Sequence, residues 1–385
     1  MERAVQPGQI PCVAHTVRWL KTGGEGIAAM VDAIDAARVS VRLEIYIYAD
    51  DATGRSFLGS LVRACGRGVR VKVLVDSLGS AELSKEFWKP LREAGGEMRW
   101  FNPFSLRRFS IRDHRKILVC DDRVAVIGGF NITDDYAGDG VASGWRDLGM
   151  IVEGKAVAEM AAAVDEMWEL AEFKHQRLAA YRKAIHSRYD TTPGCDLLLS
   201  APGRGATPFK TALNGDLANA RHVRIASAYF LPTWRIRREL TGVIRRGGRV
   251  QLLLPAKSDV AIMLRAMQSL YRRLLRSGIE VWEYEPQIMH TKLIVIDDVC
   301  YAGSSNLDTR SLHLNYEVMM RFPDPAITAE AREIFDSDLK HSRRIELEAW
   351  RRSRSFFARI RSRLDYLILF HLDRRLTFRQ LASQG

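Results

Sequence analysis

Two stretches of the sequence share one pattern: DHRKILVCDDRVAVIGGFN at residues 113–131 and MHTKLIVIDDVCYAGSSNLD at residues 289–308. Both contain His-x-Lys-x4-Asp, followed by a second short apolar run and a Gly- and Ser-rich turn that ends in Asn131 or Asn306. The residues that fill the motif are His114, Lys116 and Asp121 in the first copy and His290, Lys292 and Asp297 in the second. Identical spacing in two copies indicates an internal duplication.

The duplication extends upstream of these motifs. A strand, an amphipathic helix ending at Arg-Gly and a second apolar strand are predicted in VRLEIYIYADDATGRSFLGSLVRACGRGVRVKVLVDS (41–77) and again in HVRIASAYFLPTWRIRRELTGVIRRGGRVQLLLPAKS (222–258). Val41 and Val223 are 182 residues apart and the motif histidines 176, a small drift that loops of different length explain. The sequence therefore predicts an α/β fold of two homologous halves, each a mixed sheet flanked by helices, with pseudo-twofold symmetry and one shared active site.

We expect the chain to divide into three parts. The N-terminal half with the first motif is expected over 1–185, the C-terminal half with the second motif over 186–330, and a basic amphipathic tail over 331–385. The stretch 186–210 is rich in Gly, Pro, Ser and Thr, which is typical of a linker, although its LLLS run allows a strand.

Composition narrows the class of protein. The chain has 385 residues, of which 47% are hydrophobic, and a formal charge of +12, so it is long enough for two globular domains and predicts an anionic partner. Its apolar runs fall far short of the roughly 20 residues that span a bilayer, and its N-terminus lacks the apolar core of a secretory signal. Five scattered cysteines without a CxxC pair fit a reducing cytoplasm and argue against a disulfide framework or a zinc knuckle.

The motif residue types suit attack on phosphorus. On a strand, residues two apart share a face, so each motif His emerges beside its Lys, whereas the Asp lies on the other parity or in the turn. A neutral imidazole can attack a phosphorus atom whose oxygens an ammonium holds. The polar turns add donors in both halves, namely Asn131, Ser304 and Asn306. Lysine is a poor metal ligand at neutral pH, so the pattern predicts no metal site.

These residues give the chain a resemblance to the phospholipase D superfamily, and within it to bacterial cardiolipin synthases, particularly the shorter type without N-terminal membrane helices. The resemblance covers most of 20–325 and rests on both His-Lys-Asp (HKD) motifs, on GGFN and GSSNLD after them, on WRD at 145–147 and on NYE at 315–317. The superfamily also includes nucleases, phospholipases and tyrosyl-DNA phosphodiesterases.

The resemblance implies a covalent phosphohistidine intermediate and no cofactor. It assigns His114 as the nucleophile and His290 as the general acid and base. Oxygen atoms of the phosphate would be held by Lys116, Lys292, Asn131 and Asn306, with help from Ser304. Each imidazole also needs an orienting carboxylate, and by position in the chain Glu317 is expected to serve His290 and Asp147 to serve His114. The HKD carboxylates, Asp121 and Asp297, belong to the catalytic motifs, but their parity indicates that they brace the turn.

The end of the chain concentrates the positive charge. Residues 341–385 hold eleven arginines against four acidic residues, which is +7 of the total of +12. Apolar residues from Phe356 to Leu372 recur at helical spacing opposite arginines, as in helices that lie in an anionic membrane interface. The alternative is a helix packed on the body with a solvated basic face. A second mixed patch of Phe and Arg, at 100–116, could line a lipid entrance or cover the core.

Three functions fit the sequence. The first is a phosphatidyltransferase of phospholipid biosynthesis that makes cardiolipin from phosphatidylglycerol, bound peripherally at the cytoplasmic face of the inner membrane. The second is a phospholipase D-type hydrolase with the same site. The third is a nuclease, which the charge allows but which the lack of regularly interleaved aromatic residues disfavours. The oligomeric state stays open, because the two halves could complete one site within a monomer.

Overall fold

The strands of the protein form two sheets, one in each half of the chain. The computed structural model describes residues 10–12, 15–103, 111–172, 191–192, 194–203 and 206–369. The first sheet contains β1 (Ile10–Cys12), β2 (His15–Leu20), β3 (Ser40–Ile45), β4 (Arg70–Asp76), β5 (Glu97–Phe101), β6 (Ile117–Cys120), β7 (Val124–Gly128) and β8 (Gly149–Gly154). The second contains β9 (Thr191–Thr192), β10 (Cys195–Ser200), β11 (His222–Ser227), β12 (Arg249–Pro255), β13 (Glu280–Tyr284), β14 (Lys292–Ile296), β15 (Val299–Gly303), β16 (Glu317–Phe322) and β17 (Ser342–Arg344).

The two sheets have the same topology. The first has the order β1-β2-β8-β7-β6-β3-β4-β5, and the second has the order β17-β13-β12-β11-β14-β15-β16-β10-β9. When the second is read in reverse, the seven strands from β10 to β16 match β2 to β8 one for one. In both sheets the strands β3 to β5, or β11 to β13, are parallel, and the rest pair antiparallel. The predicted fold of two homologous mixed-sheet halves is confirmed.

Helices flank both sheets and follow the same duplication. They are α1 (Gly23–Ala36), α2 (Ala52–Gly66), α3 (Lys89–Glu93), α4 (Ala156–Glu172), α5 (Pro208–Asn219), α6 (Trp234–Arg245), α7 (Ala261–Arg276), α8 (Thr309–His313), α9 (Pro325–Leu339), α10 (Leu347–Ser353) and α11 (Phe356–Leu367). The side chains of Asp51 and Thr233 cap the N-termini of α2 and α6. Both helices end before a glycine with positive φ, Gly68 at +82° and Gly247 at +78°, which explains the repeated Arg-Gly pattern.

The central strands are buried on both faces, which explains their nearly continuous apolar sequence. In β4, Val73 and Val75 pack into the outer core of the first half, and Leu74 packs into a core that both halves share. In β12, Leu253 reaches the same shared core from the other side. Helix α4 contacts strands of its own sheet and also β10 of the other sheet. The halves are therefore joined by a common apolar layer.

Two expectations about segments differ from the structure. The expected linker at 186–210 contains β10, which pairs with β16, and the start of α5. The expected boundary between 330 and 331 falls inside α9, and β17 beyond it pairs with β13. The LLLS run had allowed the strand β10, whereas composition alone did not reveal that apolar residues of α9 pack on the second sheet across the expected boundary. The boundary at 185 and 186, residues 104–110 of the patch at 100–116 and the tail from 370 onward lie outside the described residues.

Candidate active site

The two motif histidines lie at the same end of their sheets, directly ahead of the equivalent strands β6 and β14. Both are buried, with 9% of His114 and 5% of His290 exposed. The side chains of Lys116 and Lys292 are buried with them. The charge of each lysine acts on the histidine of the other motif, so the two motifs lie close together between the halves.

A backbone bridge ties the segment before His114 to the opposite half. Asp113 pairs with Tyr316 in an isolated parallel bridge. The His114 N–H donates to the Tyr316 carbonyl at 3.0 Å, and the Tyr316 N–H donates to the Arg112 carbonyl at 2.9 Å. The residue after Tyr316 is therefore held beside His114.

The second motif has the equivalent bridge. Met289 pairs with Arg146 of the first half. The His290 N–H donates to the Arg146 carbonyl at 2.7 Å, and the Arg146 N–H donates to the Ile288 carbonyl at 2.8 Å. Here the residue after Arg146 is held beside His290.

The carboxylates that follow these bridges are exchanged between the halves. Glu317 Oε2 lies 3.1 Å from Nδ1 of His114, and Asp147 Oδ2 lies 2.7 Å from Nδ1 of His290. The expected pairs, Glu317 with His290 and Asp147 with His114, are therefore wrong. The physical reason is that each carboxylate directly follows a residue whose backbone bridges to the motif segment of the other half.

Burial sets the protonation of both histidines. It lowers the pKa of His114 to about 4, although the charge of Glu317 opposes this. Burial, together with the charge of Lys292, also lowers the pKa of His290. Both imidazoles are therefore neutral at neutral pH.

The two carboxyl groups are ionised. Burial raises the pKa of Asp147, but the positive charge of Lys292 and the bond to His290 outweigh it and leave the pKa below its usual value. Glu317 has a lowered pKa for the same kind of reason, with His114 and Lys116 as its partners. An ionised carboxylate only accepts hydrogen bonds, so each imidazole carries its proton on Nδ1 and keeps a lone pair on Nε2.

The lysines are held against the histidines. Lys116 Nζ donates to the His114 carbonyl at 2.7 Å, and Lys292 Nζ lies 3.0 Å from Nε2 of His290 and 4.0 Å from Asp147 Oδ2. Burial lowers the pKa of Lys116 to about 7 and that of Lys292 to about 8, although the carboxylates oppose this. Nε2 of His114 has no hydrogen-bond partner among the described residues.

The polar turns contact the carboxylates first. Ser304 donates its hydroxyl hydrogen bond to Glu317 and accepts one from the Val318 N–H at 3.0 Å, so it orients the carboxylate rather than facing the centre of the site. The equivalent residue of the first half is Gly129, where an added Cβ would lie 2.2 Å from Asp147 Oδ1. Each turn therefore fits against the carboxylate of its own half.

The two turn asparagines have different surroundings. Asn131 accepts from the Ile47 N–H at 3.1 Å and donates to the Tyr136 hydroxyl at 2.9 Å. That hydroxyl lies 3.1 Å from Nδ1 of His290, so Asn131 reaches the histidine through Tyr136. The side-chain oxygen of Asn306 is buried and has no hydrogen-bond partner in the part of the chain that the structure describes.

The motif aspartates lie outside this group. Asp121 accepts hydrogen bonds from the N–H groups of Arg38, Val39 and Ser40, at the end of β6 far from the histidine. Asp297 accepts from the Arg221 and His222 N–H groups in the equivalent place. The expectation that these aspartates are catalytic is therefore wrong. They brace the turns, as their parity indicated, and their backbones have positive φ of 54° and 46°.

Sequence reasoning missed several residues that shape the site. Asp76 accepts from the Asp113 N–H at 2.9 Å and pairs with Arg112 at 3.2 Å, which fixes the segment that carries His114. The sequence could have revealed Asp76, because it is a charged residue at the carboxyl end of an apolar strand, where the ligand sites of α/β sheets lie. The ring of Tyr46 lies 4.8 Å from that of His114. Glu44, a charge within the apolar strand β3, lies fully buried 3.7 Å from Arg115.

The arrangement suits double displacement at phosphorus. One imidazole can attack while the other moves a proton, and two buried ammonium groups can hold the phosphoryl oxygens. Among the described residues, no group of three or more His, Cys, Asp or Glu side chains is placed to hold a metal ion. No helix in the described ranges is long and apolar enough to cross a membrane.

Known proteins share both fold and sequence with this chain. A crystal structure of phosphatidylserine synthase from Haemophilus influenzae superposes with a TM-score of 0.73 at 16% identity, covering 92% of this chain and 94% of that one, which shows the fold.

Proteins found by sequence comparison have a higher identity to this chain than that structure does. The cardiolipin synthase of Alkalihalophilus pseudofirmus is 32% identical over 348 residues, which are 89% of this chain and 69% of that protein. The major cardiolipin synthase of Bacillus subtilis is 31% identical over 363 residues, 92% of this chain and 75% of that protein. The family model described as cardiolipin synthase, PLD-like domain, matches residues 30–168 and 216–339. The chain therefore belongs to the phospholipase D-like cardiolipin synthase family, whose members are phosphatidyltransferases.

Proposed function

We propose that this protein transfers a phosphatidyl group from one phosphatidylglycerol to the hydroxyl of a second, which yields cardiolipin and glycerol. The observation that carries the proposal is the exchanged pair of histidine–carboxylate contacts with a lysine beside each histidine. The names of the sequence relatives, which are cardiolipin synthases, support the product.

In the first step, His114 is the nucleophile. Its Nε2 lone pair attacks the phosphorus atom of the donor lipid, a P–N bond forms, and the bond from phosphorus to the headgroup glycerol breaks. The negative charge of the bound phosphate raises the pKa of His290, so that its Nε2 takes up a proton from solvent and then gives it to the departing glycerol oxygen. Lys116 and Lys292 turn toward the non-bridging oxygens, with Asn306 beside them.

In the second step, the acceptor replaces the glycerol. The now neutral His290 takes the proton from the hydroxyl of a second phosphatidylglycerol, and that oxygen attacks phosphorus. The P–N bond breaks and its electron pair returns to His114, which restores the enzyme. Glu317 and Asp147 hold the imidazoles and stabilise the positive charge that each develops. We place this reaction at the cytoplasmic face of the inner membrane, with the protein bound peripherally.

The test presents the purified protein with phosphatidylglycerol vesicles and follows lipid products by mass spectrometry. Cardiolipin and glycerol are expected in equal amounts, and neither should form with His114→Ala or His290→Ala. Asp121→Asn is the matched control, because this motif residue lies outside the site and its loss should leave the chemistry in place. Phosphatidic acid as the main product would identify a hydrolase, and cleavage of an oligonucleotide with intact lipid would identify a nuclease.

The phosphohistidine step has its own test. With a donor whose phosphorus is made chiral by sulfur and oxygen isotopes, two successive displacements give retention of configuration. Inversion would show direct transfer between the lipids and would exclude the covalent intermediate.

A further inference from the structure

Five arginines line a pocket between α7 and the C-terminal helices α10 and α11. The pocket has a volume of about 100 Å³. Its arginines are Arg272, Arg351, Arg354, Arg359 and Arg363. A volume of this size suits a small anionic group such as a phosphate.

The protein itself neutralises little of this charge. Arg351 pairs with Glu348 at 3.0 Å, and Arg354 stacks on Trp350, with its guanidinium 4.4 Å from the ring centre. Across the described residues, no carboxylate lies within 4 Å of the other three arginines.

Arg272 is surrounded by other positive charges. Its Nε is buried and has no hydrogen-bond partner among the residues that the structure describes. The charge of Arg276, then burial and the charges of Arg351, Arg359 and Arg363, lower its pKa. Like charges so arranged repel one another, and a bound anion would relieve that repulsion.

An apolar surface adjoins the pocket on α11. Phe356 is 66% exposed and Phe357 is 80% exposed. The other exposed apolar residues of the helix and its final turn are Ile360, Leu364, Leu367 and Ile368. Large apolar side chains beside arginines are the composition of helices that lie in an anionic membrane interface.

This surface is connected to the candidate active site. Asp259 accepts a hydrogen bond from Tyr229 and contributes to the pKa of Lys292. Helix α7 begins two residues later, and Arg265, one turn into it, pairs with Asp365 of α11 at 2.5 Å. The ion pair thus ties the end of α11 to the start of the helix that follows Asp259.

We propose that the arginine pocket binds the phosphate of an anionic phospholipid in a bilayer, on whose surface the apolar residues of α11 insert. The bound lipid is a second one, separate from the substrate, and it orients the active site toward the membrane. The proposal rests on the proposed function only for the choice of phosphatidylglycerol as the lipid.

The test measures cosedimentation with vesicles of phosphatidylcholine alone and of phosphatidylcholine mixed with phosphatidylglycerol. In the triple variant Arg272→Gln/Arg359→Gln/Arg363→Gln, binding to the mixed vesicles should weaken about tenfold or more. Phe356→Ser/Phe357→Ser should weaken binding as well, since these exposed side chains contribute apolar area in the interface.

The control variant removes the same charge elsewhere. Arg38→Gln/Arg70→Gln/Arg123→Gln changes exposed residues in the first half, at the end of its sheet that lies away from His114. Binding of this variant to the mixed vesicles should stay within about twofold of the wild type. An equal loss in this control, or unchanged binding in the pocket variant, would overturn the proposal. Loss of oligonucleotide binding with intact vesicle binding would instead identify a nucleic-acid site.

Two further variants separate loss of lipid binding from misfolding and from loss of catalysis. Arg359→Gln/Arg363→Gln leaves α7 untouched and serves if the triple variant does not fold. His114→Ala should bind mixed vesicles like the wild type, because the pocket does not depend on the chemistry. A wild-type protein that binds through the pocket yet makes no cardiolipin would refute the proposed function and leave this inference standing.

Discussion

At the scale of single residues, the exchanged carboxylates determine the properties of each histidine. Because Glu317 raises the pKa of His114 against its burial, Glu317→Gln should lower that pKa further and leave His290 unchanged. Asp147→Asn should do the reverse. Ring-carbon NMR titration of the histidines measures both. We expect each variant to lose roughly 10³–10⁴-fold in turnover, since the ionised partner also holds the tautomer.

The contrary result is well defined. If Glu317→Gln moved only the titration of His290, the carboxylates would serve the histidines of their own halves, and the bridges at Tyr316 and Arg146 would not hold in solution. A shift in both histidines with either variant would point to a single coupled titration of the site.

The shifted pKa values of the motif histidines and lysines predict how kcat/KM depends on pH. In the free enzyme kcat/KM should fall at low pH as His114 is protonated, near pH 4, because a protonated imidazole has no lone pair. As the pH rises, kcat/KM should fall first as His290, whose pKa lies below its usual value, loses the proton that the departing glycerol needs. It should fall again between about pH 7 and 8, where Lys116 and Lys292 lose the charge that holds phosphate. Since the charge of Lys292 lowers the pKa of Lys116, Lys292→Met should move the remaining alkaline limb upward. A profile that stays flat well above pH 8 would contradict a role for charged lysines.

At the scale of elements, the turn after β7 places Asp147. A Cβ at Gly129 would lie 2.2 and 2.4 Å from the two carboxylate oxygens, so Gly129→Ala must displace Asp147 from His290. We expect a loss of roughly 1–3 kcal/mol in the free energy of unfolding, as for other overpacked sites, and a large loss of turnover. Urea unfolding and product assays measure the two effects.

The matched control for this variant is at the end of α2. No atom lies within 4 Å of a Cβ built at Gly66, so Gly66→Ala should keep activity and leave stability unchanged or raise it by up to about 1 kcal/mol. Full activity in Gly129→Ala would show that the turn yields and that Asp147 does not depend on it.

At the scale of the whole molecule, neither half holds a complete site. Each histidine takes its carboxylate from the other half, and the apolar layer between the sheets contains residues of both. Residues 1–185 and 186–385 produced separately should therefore be inactive and poorly soluble, because each exposes its share of that layer. Produced together, they should form a complex with activity. Size-exclusion chromatography and product assays check this, and full activity in either half alone would contradict it.

Much of this architecture could be predicted from local patterns. The duplicated motifs, the strand pairs around them and the α/β class follow from side-chain periodicity and spacing, which depend only on neighbours in the chain. The same holds for the turn role of Asp121 and Asp297, because parity along a strand is a local property. The apolar face of α11 was likewise visible as helical spacing from Phe356 onward.

What the sequence could not determine are the contacts that join distant segments. Glu317 is 203 residues from His114, and Asp147 is 143 residues from His290. Position along the chain favoured the wrong pairs. It carries no information about which segments of the two halves form backbone bridges. The arginine pocket likewise brings α7 together with two later helices. Local residue patterns identify the residues that carry the chemistry, whereas tertiary packing sets which of them meet, because backbone bridges between the halves fix those distances.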